Sequence, residues 1–154
     1  MVCLPMTPIK LAILWHQHQP YYRSGKEFRM PWAWLHATKD YLEMAEHFEQ
    51  HPKMHGTINL VPSLLKQLEE HVAGEAVDRV VELMSKPAES LTDADKSFIL
   101  DNFFQAQKEH LIDRSERYHE LFDKANGPDR DHFDLQDYRD LAVHYSLAWT
   151  GEIA

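Results

Sequence analysis

The strongest hydrophobic pattern lies near the start of the chain and breaks off abruptly. Residues 9 to 14 are apolar except for Lys10, and Trp15-His16-Gln17-His18-Gln19-Pro20 follows them. A short, nearly continuous apolar run predicts a strand buried on both faces, as in parallel α/β sheets. The polar residues would then lie at its carboxyl end, where such folds place ligand sites. Because strand side chains alternate between faces at about 3.3 Å per residue, His16 and His18 should project to one side, about 6.6 Å apart.

The following pattern predicts a helix and a second strand. In order, it indicates a loop at 21–28, an amphipathic helix that opens at Pro31 and ends before Pro52, and a strand at 54–61. Strand, helix and strand form the right-handed crossover unit of a parallel sheet, so both strands should end at the same edge. We therefore expect Asn59 to lie near His16 and His18.

From Pro62 onward the periodicity is helical throughout. Thr92, with Asp95 three residues later, predicts a capping box at the start of one helix. Apolar residues at spacings of three and four predict helices over 64–68, 77–84, 99–110, 118–125 and 135–149. The chain is therefore predicted to be an α/β protein with a βαβ unit at 1–61 and a largely helical region at 62–154.

Two parallel strands are too few for a sheet that is covered on both faces, and an isolated pair is marginally stable. Two arrangements remain open. Either the helices form a self-sufficient bundle onto which the βαβ unit packs, or the 154 residues are the start of a longer barrel. We favour the longer barrel, because it would supply the missing strands.

Composition narrows the function classes. The 154 residues carry a net charge of −9 without a dense Lys or Arg patch, so no nucleic-acid partner is expected. With Cys3 as the single cysteine, no intrachain disulfide can form, which suits a reducing cytoplasm. No signal peptide pattern and no run of roughly 20 apolar residues occurs, so we expect a cytoplasmic protein without a membrane partner.

The pair His16 and His18 is the strongest candidate site, and it has three interpretations. The rings could satisfy buried backbone groups, bind a metal ion, or hydrogen-bond a polyhydroxylated ligand. A metal site lacks a convincing third ligand, since His36 and His55 are isolated, and we expect neither a metal nor another cofactor. A sugar fits better, because imidazoles and carboxamides pair with hydroxyls while aromatic rings offer flat apolar faces. The neighbouring aromatic residues are Trp15, Tyr21, Tyr22, Trp32 and Trp34, of which Trp34 is expected to pack in the core.

Acid–base machinery is missing from the pattern. The carboxylates on the predicted helices, Glu70 and Asp95 among them, should lie on solvated faces, as should His71 and most other histidines. The sequence also lacks a Gly-rich phosphate loop, a nucleophile elbow and a paired-cysteine metal motif. It therefore predicts a binding wall without a visible catalyst.

Three segments, in order and at matching spacing, carry a likeness to a known family. They are Trp15-His16-Gln17-His18-Gln19-Pro20-Tyr21, Met30-Pro31-Trp32-Ala33-Trp34-Leu35-His36-Ala37-Thr38-Lys39-Asp40-Tyr41 and Ile58-Asn59-Leu60-Val61-Pro62-Ser63-Leu64-Leu65. Over roughly residues 9 to 70 the chain resembles the amino-terminal part of glycoside hydrolase family 57. The helical remainder resembles the helical excursion that such enzymes carry after the second strand.

The resemblance implies a retaining enzyme acting on α-glucans, such as an α-amylase, 4-α-glucanotransferase, branching enzyme or amylopullulanase, built on an incomplete (β/α)7 barrel. A retaining mechanism needs two carboxyl groups about 5 to 5.5 Å apart. In the family these are a glutamate nucleophile and an aspartate acid, whose signatures have no counterpart here and are expected beyond Ala154. Residues 1–154 would then be part of a catalytic domain, inactive alone, with an α-glucan and the remainder of that domain as partners.

The resemblance also assigns candidate residues. His16 and His18 match histidines that line the family's pocket near the sugar bound at the cleavage point. Gln19 matches the same motif and supports that wall, and Trp32 and Asn59 are further substrate-binding candidates from their positions. Two alternatives stay open: a metal-dependent hydrolase with a His-x-His ligand pair, and a non-catalytic binding or scaffold domain.

Overall fold

The computed structural model describes residues 9–151, so Cys3 and Ala154 lie outside the described residues. The strands are β1 (Leu14–Gln17), β2 (Arg23–Ser24), β3 (Glu27–Phe28), β4 (Thr57–Leu60) and β5 (Val77–Asp78). The helices are α1 (Trp32–His36), α2 (Leu42–Gln50), α3 (Pro62–Ala73), α4 (Arg79–Met84), α5 (Asp93–Asn102), α6 (Glu116–Asn126) and α7 (Leu135–Ala148). Among these helices, none is both long enough and apolar enough to cross a membrane.

The parallel pairing of the first and second strands is confirmed. β1 and β4 lie side by side in parallel, with His16 opposite Asn59 in the register. The bounds of β1 differ from the prediction, since the apolar residues 9–13 precede the strand and Ile9 and Leu11 are exposed. The predicted burial of this run was wrong, because the four residues of β4 pair with β1 only from Leu14 onward.

A second, smaller sheet forms where the pattern predicts a loop. β2 and β3 make an antiparallel hairpin around Gly25, whose φ of 65° suits glycine in a two-residue turn. β3 also pairs in parallel with β5, so Val77 lies in a strand rather than in a helix. The predictions of a loop at 21–28 and of an uninterrupted helical region after Pro62 were therefore wrong in this detail. Two-residue strands are too short to show a period in the sequence.

The segment between β1 and β4 is helical but not uniformly α-helical. α1 follows Pro31 at its N-cap, and α2 ends at His51, before Pro52, as predicted. Between them Ala37–Tyr41 forms a π-helical turn. Leu35 of α1 is buried in the helical core, whereas Met44 and Phe48 of α2 contact β1.

The ends of α3 and α4 follow directly from the local sequence. α3 has Pro62 at its first turn and ends at Gly74, whose φ of 65° gives the left-handed helix cap. α4 is capped by Asp78, whose carboxylate accepts hydrogen bonds from the backbone N–H groups of Val80 and Val81. The predicted stop at Gly74 is thus confirmed.

α5 begins with the predicted capping box of Thr92 and Asp95. It ends at Asn102 instead of continuing to His110, so the predicted length was wrong. At Phe103 the backbone carbonyl accepts a hydrogen bond of 2.6 Å from the Tyr118 hydroxyl, which gives this helix end a tertiary partner. A π-helical turn at Lys108–Ile112 then leads to α6.

The core lies among α1 and the helices from α4 to α7. Its buried residues are Leu35, Val80, Leu83, Ala88, Ile99, Phe103, Ile112, Tyr118, Leu121, Tyr138, Leu141, Tyr145 and Ala148. Trp34 packs against this cluster, as expected for a residue on the apolar stripe of its helix. Helices α1 and α4 to α7 thus share one core.

Candidate functional site

The two predicted histidines lie on one open face of the β1–β4 sheet. His16 and Asn59 are direct neighbours in the parallel register and so share a side of the sheet. The His16 and His18 rings are stacked, with centroids 5.8 Å apart. All three side chains are exposed. We call the side of the sheet that carries Leu14, His16, Thr57 and Asn59, together with His18, the histidine face.

The opposite side of β1 is covered by α2. The Trp15 ring meets Phe48 edge to face, with centroids 5.7 Å apart. Gln17 is buried, and its amide nitrogen lies 3.5 Å from the Met44 sulfur. Because alternate strand residues are held on this side, the intervening histidines are directed to the histidine face.

Gln19 is engaged at both polar ends within the protein. Its Oε1 accepts a hydrogen bond of 2.8 Å from the Tyr22 hydroxyl, and its Nε2 donates to the Tyr41 hydroxyl at 3.3 Å. Both hydrogen bonds of the Gln19 side chain are to tyrosine hydroxyls of the same chain. Gln19 therefore braces the chain after β1 against the π-helical turn.

Trp32 lies in an aromatic cluster away from the strand pair. Its ring neighbours are Trp149, at 5.8 Å, and His36, at 6.4 Å. The His36 ring is in turn 6.2 Å from Tyr41, the residue that accepts from Gln19. The structure thus brings His16, His18 and Asn59 together and places Trp32 beside the carboxyl end of α7.

A cavity of about 570 Å³ lies between β1 and α2. Trp15, Met44 and Phe48 supply an apolar lining, while Tyr41 supplies a polar group. Apolar rings with a few hydrogen-bonding groups are the surroundings that a small polar ligand with flat apolar faces requires. The cavity lies on the α2 side of β1, across the strand from the side chains of the histidine face.

A family model described as Glycosyl hydrolase family 57 matches residues 12–153. The chain belongs to this family. No curated protein and no solved structure matches it. Membership of family 57 confirms the resemblance of the three sequence segments and associates the chain with glycoside hydrolases and transglycosylases in the broad sense, whose substrates are carbohydrates.

In this family 57 chain, Glu70 is buried rather than solvated. It is 3% exposed, and it accepts hydrogen bonds from the Tyr21 hydroxyl at 2.7 and 2.8 Å. Lys66 and Arg23 lie 2.9 and 3.1 Å from the same carboxylate. Burial raises the pKa of Glu70, but the bonds from Lys66 and Tyr21 and the charge of Arg23 outweigh it and lower the pKa to about 2. The predicted solvated face was wrong for this residue, because its partners come from the loop after β1.

His71 and Asp95 also depart from the prediction of solvated faces. The His71 ring stacks on Phe28 at 3.9 Å, and burial lowers the pKa of His71. Asp95 is buried within the capping box, where Lys86 lies 2.7 Å away and Arg79 pairs with the second oxygen. Both environments depend on residues from other elements, which the periodicity of one helix does not reveal.

Within residues 9–151, no three His, Cys, Asp or Glu side chains form a group that could hold a metal ion. His36, considered above as a third ligand, instead pairs with Asp40. His16 and His18 therefore stand as a pair next to the Asn59 amide.

Proposed function

We propose that this chain supplies a substrate-binding wall of a retaining glycoside hydrolase or transglycosylase that acts on α-glucans. The observation that carries the proposal is the grouping of His16, His18 and Asn59 on one exposed face in a member of family 57. Two imidazoles and one carboxamide provide both donors and acceptors for sugar hydroxyls.

The catalytic carboxylates are proposed to come from a part of the protein beyond residue 154. A retaining mechanism needs a nucleophile and an acid about 5 to 5.5 Å apart across the scissile bond. The buried carboxylates of Glu70 and Asp95 are committed to ion pairs and helix caps in this structure. We therefore assign the described residues to binding and assign the Glu and Asp expected from the family to the remainder of the catalytic domain.

The exposure of the histidine face supports the proposal that the full-length protein folds as an incomplete (β/α)7 barrel. Parallel strands are found almost only in sheets with both faces covered. Here α2 covers the Trp15 and Gln17 side, whereas Leu14 on the histidine face is 65% exposed. Further strands of a barrel would enclose this face and turn His16 and His18 toward its interior, at the carboxyl ends where barrel sites lie. Residues 1–61 would be the first βα units, and 62–154 a helical excursion, in a cytoplasmic enzyme.

The proposal is tested by His16→Ala and His18→Ala in the full-length protein. Loss of the partner of a buried sugar hydroxyl costs about 1 to 3 kcal/mol, so kcat/KM on maltooligosaccharides should fall roughly 5- to 150-fold for each variant. His110→Ala, at an exposed position in the turn before α6, is the matched control and should retain activity. Unchanged kcat/KM in both site variants would refute the assignment, and equal turnover of β-linked cellooligosaccharides would refute the α-glucan specificity. The chain of residues 1–154 alone should show no turnover.

A further inference from the structure

We propose that Gln67, on α3, is a positioning residue that sets the geometry of the histidine wall through the backbone of residues 19–22. The inference rests on the proposed role of His16 and His18 in sugar binding. The observation behind it is a row of side chains on one face of α3. These side chains form hydrogen bonds with four consecutive residues directly after His18.

The contacts of Gln67 use both ends of its amide. Nε2 donates to the Pro20 carbonyl at 2.8 Å and to the Ser63 carbonyl at 2.9 Å, while Oε1 accepts from the Tyr22 backbone N–H at 2.8 Å. The side chain is 0% exposed. A buried carboxamide with both donors and its acceptor occupied by main-chain groups is fixed in one orientation.

The neighbouring residues on this face of α3 complete the set. The Ser63 hydroxyl donates to the Gln19 carbonyl at 2.8 Å, and Glu70 accepts from the Tyr21 hydroxyl. Positions 63, 67 and 70 are separated by four and three residues, so they lie in one row along the helix. Gln19, Pro20, Tyr21 and Tyr22 are thus each bound by α3, two through carbonyls, one through an N–H and one through a hydroxyl.

These side chains of α3 bind the chain just beyond the last backbone hydrogen bond between β1 and β4. The last backbone contact between the strands runs from the Val61 N–H to the Gln17 carbonyl at 3.3 Å. His18 follows directly, and Pro20 has no N–H to offer to a strand neighbour. α3 begins one residue after Val61, so the chain that leaves β4 enters this helix directly. The same helix therefore holds the segments that follow β1 and β4. The stacking of His18 on His16 therefore depends on where α3 places residues 19–22.

A positioning role differs from ordinary stabilisation in one measurable way. If Gln67 acts through His18, its replacement should lose most of its effect once the His18 ring is absent. If Gln67 only stabilises the fold, its replacement should change activity by the same factor with or without that ring, because independent effects add as free energies.

The experiment is a double-mutant cycle in the full-length protein, with kcat/KM on maltooligosaccharides measured well below each variant's Tm. Gln67→Leu should lower kcat/KM about tenfold. Combined with His18→Ala, Gln67→Leu should add less than about threefold. Ser63→Ala, which removes one contact and leaves the amide in place, serves if the Gln67 variants do not fold. Glu69→Gln, at an exposed position on the same helix, is the control.

The outcomes separate the two proposals. A tenfold loss in the wild-type background that nearly disappears in the His18→Ala background supports the positioning role. An equal loss in both backgrounds, or wild-type kcat/KM in folded Gln67→Leu, overturns it while leaving the sugar-binding role of the histidines intact. Wild-type kcat/KM in His16→Ala and His18→Ala overturns the sugar-binding role itself.

Discussion

Replacing Asp137 by asparagine tests whether buried carboxylates at helix starts stabilise this chain. Asp137 lies in the first turn of α7 and is 4% exposed. Its oxygens accept from Arg117 at 2.7 Å, from Lys124 at 2.7 Å and from the Asp134 backbone N–H at 3.0 Å. One side chain thus caps α7 and ties it to two basic residues of α6. Asparagine keeps the shape but removes the charge that both basic groups face.

The size of the effect follows from the exposure of the two basic partners. Breaking a fully buried ion pair by removing one partner costs about 3 to 5 kcal/mol. Here the Arg117 and Lys124 side chains are 37% and 28% exposed, so water can solvate them once the carboxylate is gone. We therefore expect Asp137→Asn to lower the free energy of unfolding by about 2 to 3 kcal/mol, below the fully buried case and above an exposed pair.

The assay is urea unfolding at pH 7, followed by the helical signal in far-UV circular dichroism. Asp137→Asn should lower the transition midpoint without changing its slope. Glu120→Gln is the matched control, because Glu120 pairs with the same Arg117 at 3.4 Å but is 58% exposed, and it should cost less than about 0.5 kcal/mol. Equal losses in the two variants would refute the argument from burial.

The difference in the free energy of unfolding between wild type and Asp137→Asn should depend on pH. Burial raises the pKa of Asp137, but the bonds from Lys124, Asp134 and Arg117 outweigh it and leave the pKa below its ordinary value of 3.8. A carboxylate with a lowered folded-state pKa stabilises fully above its unfolded pKa and loses this contribution as the pH falls through the folded value. The difference between wild type and Asp137→Asn should hold above about pH 5 and shrink toward about pH 3.

Two further substitutions test a helix end and the open face of the sheet. Gly74→Ala should cost about 1 to 2 kcal/mol in the same urea assay, because its φ is 65° while the space around it is open, and Gly74→Asn should recover part of that loss. An unchanged free energy of unfolding in Gly74→Ala would contradict the role of Gly74 as the left-handed cap of α3. Leu14→Asp should be neutral within about 0.5 kcal/mol in residues 1–154 but destabilise the full-length protein by more than about 3 kcal/mol. Val72→Asp, at an apolar position of α3 that is 90% exposed, should be neutral in both. An unchanged free energy of unfolding in full-length Leu14→Asp would contradict the proposed barrel.

The features predicted correctly from the sequence are those set by neighbouring residues or by chain topology. The Thr92 and Asp95 capping box and the Gly74 stop depend on residues within a few positions of each other. The proximity of Asn59 to His16 follows from the crossover unit, which requires only that two strands run parallel.

The features that were missed depend on contacts between distant parts of the chain. Glu70 reads as one more acid on an amphipathic helix, and its burial comes from Tyr21 and Arg23, far away in sequence. The apolar run before Leu14 is uncovered because its neighbouring strand is short. Gln67 did leave a signal, since Ser63, Gln67 and Glu70 place polar groups in one helical row, but the pattern alone does not name the loop that they bind.

The π-helical turn at Ala37–Tyr41 lies in a segment that contacts both the helical core and β1. Before the turn, Leu35 is buried in the helical core, and within it Lys39 donates to the Ala148 carbonyl at the end of α7 at 2.9 Å. After the turn, Met44 and Phe48 press on the back of the strand that carries His16. One continuous segment thus contacts both the carboxyl end of α7 and the strand that carries His16.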